Sequence, residues 1–311
     1  MKRLTLLVFL IVLLKAMAAM AQPISGTITN ADSHAPLPFV NIGVVGRDLG
    51  TVSSEQGTYQ LLFREALADD TVRVSSVGYQ TRRLTLRALL AQPNLALAPV
   101  SVGLQEVQVQ GKSLFRRNVT LGTTGNSESV ILKLQTEDLG AEMGTVISLK
   151  HKPTRLRTAN FNVASNTIGP LTLRVNLYRL DAKGLPTETK LLSHDLIITS
   201  EIMKGTLSVD LTKEQLVVDE DFFLAVEWIK SSHEPAVALA AGPTQITTRV
   251  YRTPAEATAK PGSLVFSLSL GYMKNDMYVR KTSQATWERV SIGVMLLGMQ
   301  PGISFFVTAQ D

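Results

Sequence analysis

The 311-residue sequence contains no cysteine. That single absence removes disulfide frameworks, cysteine-ligated zinc, iron–sulfur clusters and thiol nucleophiles. Charged residues make up only 18% of the chain and aromatics 6%, against 45% hydrophobic residues. Such a composition excludes intrinsic disorder and predicts a globular chain of two domains. Gly-x-Ser-x-Gly is missing, so there is no serine-hydrolase elbow. His-Glu-x-x-His is missing too.

No apolar run reaches the ~20 residues that a membrane-crossing helix needs. The longest, Leu4 to Leu14, follows Lys2 and Arg3 and is closed by Lys15. Ala19-Met20-Ala21 then offers a small-x-small cleavage site, so residues 1–21 read as a secretory signal peptide. A lipoprotein would need a cysteine directly after it. The 31 basic and 26 acidic residues give +5. Removing Lys2, Arg3 and Lys15 leaves 28 against 26, or +2, too little for a nucleic-acid footprint. The mature chain is expected outside the cytoplasm (periplasmic, cell-surface or secreted) with no stable transmembrane segment.

From Gln22 onward the dominant period is two. Ile24–Asn30, Phe39–Val44, Gly57–Phe63 and Thr71–Val77 are β-rich runs separated by turn residues. Short strands at this spacing argue for an all-β sandwich. Helical signals are confined to Arg83–Gln92, closed by Pro93, and a turn at Thr212–Leu216.

Four motifs then appear in order: Gly26 in the opening strand, Pro36-Leu37-Pro38-Phe39-Val40-Asn41-Ile42, Gly50-Thr51-Val52-Ser53-Ser54-Glu55-Gln56-Gly57-Thr58-Tyr59, and Ser75-Ser76-Val77-Gly78-Tyr79. This segment resembles the carboxypeptidase-like regulatory domain, a transthyretin-like β-sandwich. The resemblance implies a non-catalytic module, found beside the catalytic domain of zinc carboxypeptidases and at the front of TonB-dependent receptors. Gly50 and Gly57 are expected at turns needing positive φ. Tyr79 is expected to pack over the sandwich end with its hydroxyl anchored. Glu55 is read as a turn cap, with a weak calcium ligand as the alternative.

No zinc-peptidase pair accompanies the module. The residues three positions after His34, His151, His194 and His233 are Leu37, Thr154, Ile197 and Ala236, none of them Glu. Gly111-Lys112-Ser113 looks like the end of a phosphate-binding P-loop, but Glu106 stands where its first glycine should be. Leu104–Gln110 alternates strictly and is expected to be the last strand of a first domain spanning 22–111. Gly111–Glu128 is polar and reads as a linker or the entry to a second domain, 112–311.

That second half carries further strand signals at Thr145–Leu149, Leu171–Tyr178, Leu191–Thr199, Gly205–Leu211, Phe222–Ile229, Ser263–Leu270 and Arg289–Gly298. The order of the Gly144-Thr145 strand, the Leu173–Tyr178 strand, the Leu185-Pro186 to Leu191-Leu192 turn, Gly205–Leu211 and Asp221–Ile229 resembles a jelly-roll domain that recurs behind regulatory domains in exported Gram-negative proteins. The expected fold is therefore a transthyretin-like sandwich followed by a larger, jelly-roll-like one. Within Phe222–Ile229, Trp228 shares the core face with Phe222, Leu224 and Val226. Glu227 faces the other way and needs a partner if buried.

Tyr272, Tyr278, Arg280 and Trp287 form the candidate ligand surface, since aromatic platforms with polar neighbours suit sugar recognition. The competing reading puts Tyr278 and Trp287 in the core. Asp219 and Asp221 are weak calcium candidates, against a solvated turn. No cofactor is implied. The expected function is a non-catalytic binding or adhesion module for a glycan or an envelope protein. A structural role docking on an outer-membrane complex is the alternative, and an unrecognised hydrolase with paired carboxylates the remote one.

Overall fold

The computed structural model describes residues 22–100, 115–126, 130–135, 138, 140–231, 247–250, 262–271, 277–290 and 300–311. The predicted leader, the strand expected at Leu104–Gln110 and the 111/112 boundary lie outside the described residues. Among those described, nearly all regular structure is β.

The first seven strands are β1 (Gln22–Asn30), β2 (Asn41–Val44), β3 (Gly50–Val52), β4 (Thr58–Phe63), β5 (Thr71–Ser75), β6 (Arg82–Thr85) and β7 (Leu95–Leu97). They make a three-stranded sheet, β4-β1-β7, and a four-stranded sheet, β3-β2-β5-β6. Their alternating apolar residues form one core, including Ile24 and Ile28 from β1, Ile42 from β2, Leu61 from β4 and Val72 and Val74 from β5. The Arg83–Gln92 signal becomes one short helix, α1 (Leu86–Ala91), which buries Leu86 and Leu89 on that core. Thr85 Oγ1 caps it by accepting from the Ala88 N–H at 3.1 Å. Pro93 disfavours a helical Gln92, and α1 ends there.

Two motif glycines are fixed by close approach. A Cβ on Gly26 would lie 2.2 Å from the Pro93 carbonyl oxygen. That oxygen is held there by the Tyr59 hydroxyl, which donates to it at 2.6 Å. Gly57 has φ +72°, as the turn requires. Gly50 departs from expectation. It lies in β3 without positive φ, and it is small because Thr282 from the second half of the chain packs directly over it. Ser54, next to Glu55, closes the intervening turn, its Oγ accepting from the Gln56 and Thr58 N–H groups. The Tyr79 hydroxyl accepts from Asn30 Nδ2 at 3.3 Å.

The remaining strands are β8 (Asn118–Gly122), β9 (Val130–Gln135), β10 (Glu142–Ile147), β11 (Thr154–Asn166), β12 (Leu171–Leu180), β13 (Pro186–Lys190), β14 (Leu196–Ser200), β15 (Gly205–Asp210) and β16 (Val217–Val218). They continue with β17 (Phe222–Ser231), β18 (Thr247–Val250), β19 (Ser263–Gly271), β20 (Met277–Arg280), β21 (Glu288–Arg289), β22 (Gln300–Ile303) and β23 (Phe305–Gln310). One sheet runs β13-β12-β17-β10-β20-β21 with β14 also on β12. The other runs β18-β9-β19-β11-β23-β8, with β15 and β16 on β11 and β22 on β19. A single large core lies between them, built on Trp228, Phe222, Leu224 and Val226 from β17 and on edge-to-face contacts of Phe305 with Phe161 and Phe266. Trp228 and Glu227 thus take the opposite faces expected of them.

Part of the polar 111–128 stretch is strand. β8 pairs with β23 and fully buries only Leu121, with Val119 half-buried against the core, so an edge strand looks like a linker in the sequence. β11, the longest strand, carried no signal. Its Ala159, Phe161 and Val163 face inward, but Asn160 and Asn162 on the other face are buried too, hydrogen-bonded to Ser208 and Thr206 of β15. The run expected at Leu191–Thr199 is a bend followed by β14.

Candidate functional site between the two sandwiches

The outer face of the β12-β17-β10-β20 sheet carries a row of four charges in cross-strand register. Arg174 faces Glu227, Glu227 faces Glu142, and Glu142 faces Arg280. None is more than 2% exposed. Charges buried this deeply persist only when paired. Arg174 Nη1 donates to Glu227 Oε2 at 2.7 Å. Arg280 donates to Glu142 Oε2 from Nε at 2.8 Å and from Nη2 at 2.6 Å. The other Glu142 oxygen accepts from Asn176 Nδ2 and the Tyr178 hydroxyl. Burial, and then the neighbouring Glu142, pushes the Tyr178 phenol well above its ordinary value, so it remains a neutral donor. Burial alone would lower Arg174 and Arg280, but their carboxylate partners outweigh it and both guanidiniums are held more firmly charged.

The first sandwich closes over this row. Arg174 donates to the Phe39 carbonyl oxygen and, at 3.1 Å, to Asn41 Oδ1. Both partners belong to the Pro36–Ile42 motif, and Phe39 adopts φ +56°, unusual for a bulky residue. Glu188 bridges the two units, accepting from Arg280 Nη1 and from Arg73 Nη2, each at 2.8 Å. Burial would raise the Glu188 carboxyl; the Arg280 and Arg73 guanidiniums outweigh it and hold the group below the usual carboxylate range. Residues Thr282–Ala285 are buried and seat on two glycines. Gly43 and Gly50 leave room where a Cβ would meet Gln284 Cγ at 2.8 Å and Thr282 Cβ at 2.9 Å. The Gly46 N–H donates to the Gln284 carbonyl at 2.9 Å, and Lys281 pairs with Asp48 at 2.8 Å.

Beside this junction lies a polar cleft of about 220 Å³. The first sandwich contributes Asn41, Arg73, Thr81 and the Ser75-Ser76-Val77 part of the fourth motif. The second contributes Tyr178, Glu188, Lys190, Leu192, Asp195, Arg280, Ser283 and Gln284. Lys190 pairs with Asp195 at 3.2 Å, and Arg174 Nε approaches the same carboxylate at 3.4 Å.

Three of the four predicted ligand-surface residues come together here, as packing around an ion pair instead of an open loop. The Arg280 guanidinium lies 4.2 Å from the Trp287 ring centroid. Trp287 meets Phe223 and Tyr178 edge-on, and Phe223 meets Tyr278 in the same way. Tyr278 and Arg280 are buried. Tyr272 lies outside the described residues. Asp219 is exposed, whereas Asp221 Oδ1 accepts from the Leu149 N–H at 3.0 Å. Among the described residues no group of three or more metal-ligating side chains converges. No described helix is long and apolar enough to cross a membrane.

The sequence signalled Glu227 but gave no sign of its counter-charge Arg174, of its neighbour Glu142, or of the Arg73–Glu188 pair beside Arg280. Arg174 alternates out of phase with Leu171, Leu173, Val175 and Leu177, which marks its face but not its cover.

Comparison with known proteins agrees with the motif reading of the first sandwich. Residues 24–109 match the family model of the CarboxypepD_reg-like domain, and this part of the chain is a transthyretin-like β-sandwich. Comparison with curated proteins found no match. Among solved structures, the chain is similar to the cysteine protease and lectin-like domains of Cwp84, a surface layer associated protein of Clostridium difficile. That likeness has a TM-score of 0.37 and 10% identity over 91% of this chain. This chain covers 54% of that one. A second likeness is to the T=1 particle of Infectious Bursal Virus, with a TM-score of 0.24 and 10% identity over 93% of this chain and 61% of that one.

Proposed function

We propose that the protein is an exported, non-catalytic binding module of the Gram-negative cell envelope, recognising a glycan or an envelope protein. The observation that carries this reading is how the charges at the junction are spent. Glu142, Glu188, Asp195 and Glu227 each sit against an arginine or lysine. A hydrolytic pair needs one carboxyl raised to act as an acid. Here the cleft's Glu188 is held down instead. The arrangement suits a rigid two-part scaffold with a polar recess. Export is supported by the tripartite pattern of residues 1–21.

A glycan array probed with the purified protein, in parallel with pull-down from envelope extracts, tests the binding reading. Retention of a defined glycan or envelope protein supports it, and silence in both contradicts it. Turnover of a glycan on the array would favour the hydrolase instead. Mass analysis of protein recovered from the periplasm should show Gln22 as the first residue.

A further inference from the structure

We propose that the cleft between the two sandwiches takes a single neutral, hydroxyl-rich ring, a sugar residue at the end of a glycan; this rests on the binding-module reading above. The walls cancel their own charge. Each basic side chain of the lining is paired: Arg73 with Glu188, Lys190 with Asp195, and Arg280 with Glu188 and with Glu142 behind the wall. An ionic ligand would have to break one of these pairs to find a counter-charge. A neutral ligand would not.

What the cleft leaves unmet is hydrogen bonding. Arg73 Nε and Gln284 Oε1 are buried and have no partner. Gln284 is only 6% exposed, and its amide nitrogen is already served by Ser75 and Ser283. Those hydroxyls can serve either amide atom, so one atom of this amide is left over whichever way it is turned. Burying a donor and an acceptor unpaired is costly, which points to a group that completes both. A sugar hydroxyl both donates and accepts, so it can serve either atom. Ser76 and Thr81 add further hydroxyls, and Val77 and Leu192 offer apolar contact for the ring's C–H face. The volume, about 220 Å³, falls below the ~300–1,000 Å³ typical of drug-sized ligands, which favours one ring over a longer chain segment.

The test uses the purified protein on the glycan array, then saturation-transfer NMR and calorimetry. The probes are the retained glycan and the methyl glycosides of glucose, galactose, mannose and N-acetylglucosamine. Ser76→Trp fills the cleft from a half-buried position, and Gln284→Met removes the amide at nearly constant volume. Both should weaken binding at least ten-fold with circular dichroism unchanged. Met203→Ala, on an exposed loop residue, should not. If glycan is retained equally by wild type, Ser76→Trp and Gln284→Met, the cleft assignment fails while the binding reading survives. If neither the array nor any glycoside shows transfer, the cleft holds water only and the assignment fails. Capture of an envelope protein in that case leaves the binding reading standing.

Discussion

Glu142 and Glu227 stand directly opposite each other on β10 and β17, both with no exposed surface. Like charges in that position repel, and here each is held by an arginine on its far side, Arg280 and Arg174. Arg174 also reaches Phe39 and Asn41, so the first sandwich completes the hydrogen bonding of a row whose charges the second sandwich already pairs.

Arg174→Met should therefore destabilise the protein by about 3–5 kcal/mol, the cost of leaving a buried charge without its partner. Glu227 Oε1 already lacks a hydrogen-bond partner, so there is no second group to take over. Arg174→Met combined with Glu227→Leu should recover most of the loss, since apolar replacement of a buried pair is often neutral. Chemical denaturation of the two single variants and the double variant checks this. Additive losses in the double variant would contradict the pairing.

Gly50→Val should uncouple the sandwiches. Its Cβ would fall 2.9 Å from both Cβ and Cγ2 of Thr282, too close for the buried 282–285 segment to stay seated. Overpacking of this kind costs about 1–3 kcal/mol. Gly50 has no need of positive φ, so the effect comes from contact alone. Calorimetry should show one unfolding transition in the wild type and two in the variant. A single transition with unchanged midpoint would show that the segment does not couple the units.

Much of this was legible in the sequence and some was not, for a physical reason. Period-two alternation marks which face of a strand is apolar, so Trp228 and Glu227 could be assigned to opposite faces of β17. Alternation says nothing about which strand lies alongside. Arg174 and Glu142 reach Glu227 only through the pairing of β12 and β10 with β17, across separations of 53 and 85 residues. Trp287 could be read either as a loop platform or as core, because the 281–287 segment has no period at all. Residues 282–285 are buried against the other sandwich, whose Gly43 and Gly50 make the space, whereas Trp287 packs on Tyr178 and Phe223 of its own. Motif glycines read as turn-formers can thus be contact sites, and only the fold separates the two roles.

Arg280→Lys should be far from conservative. The guanidinium divides itself among Glu142, Glu188 and Tyr178 and stacks on Trp287. An ammonium cannot reproduce that planar fork. The buried cation–π contact alone is worth about 2 kcal/mol. Thermal melting should show a loss larger than that, with Trp287 fluorescence shifted toward that of a solvated indole. An unchanged spectrum would mean that Trp287 does not depend on Arg280 for its position.

Glu188 gives the junction its pH dependence. Its folded pKa is depressed, so the stability it contributes is present above the ordinary carboxylate range and is lost as pH falls through and below that range. Because its side chain is 48% exposed, solvent screening keeps the effect modest. Glu188→Gln should therefore melt near the wild type at acid pH and below it at neutral pH, flattening the profile between about pH 5 and pH 3. Parallel melts of the two proteins from pH 3 to pH 7 measure the difference directly. Equal slopes across that window would show that the Arg73–Glu188–Arg280 bridge makes no net contribution to holding the sandwiches together.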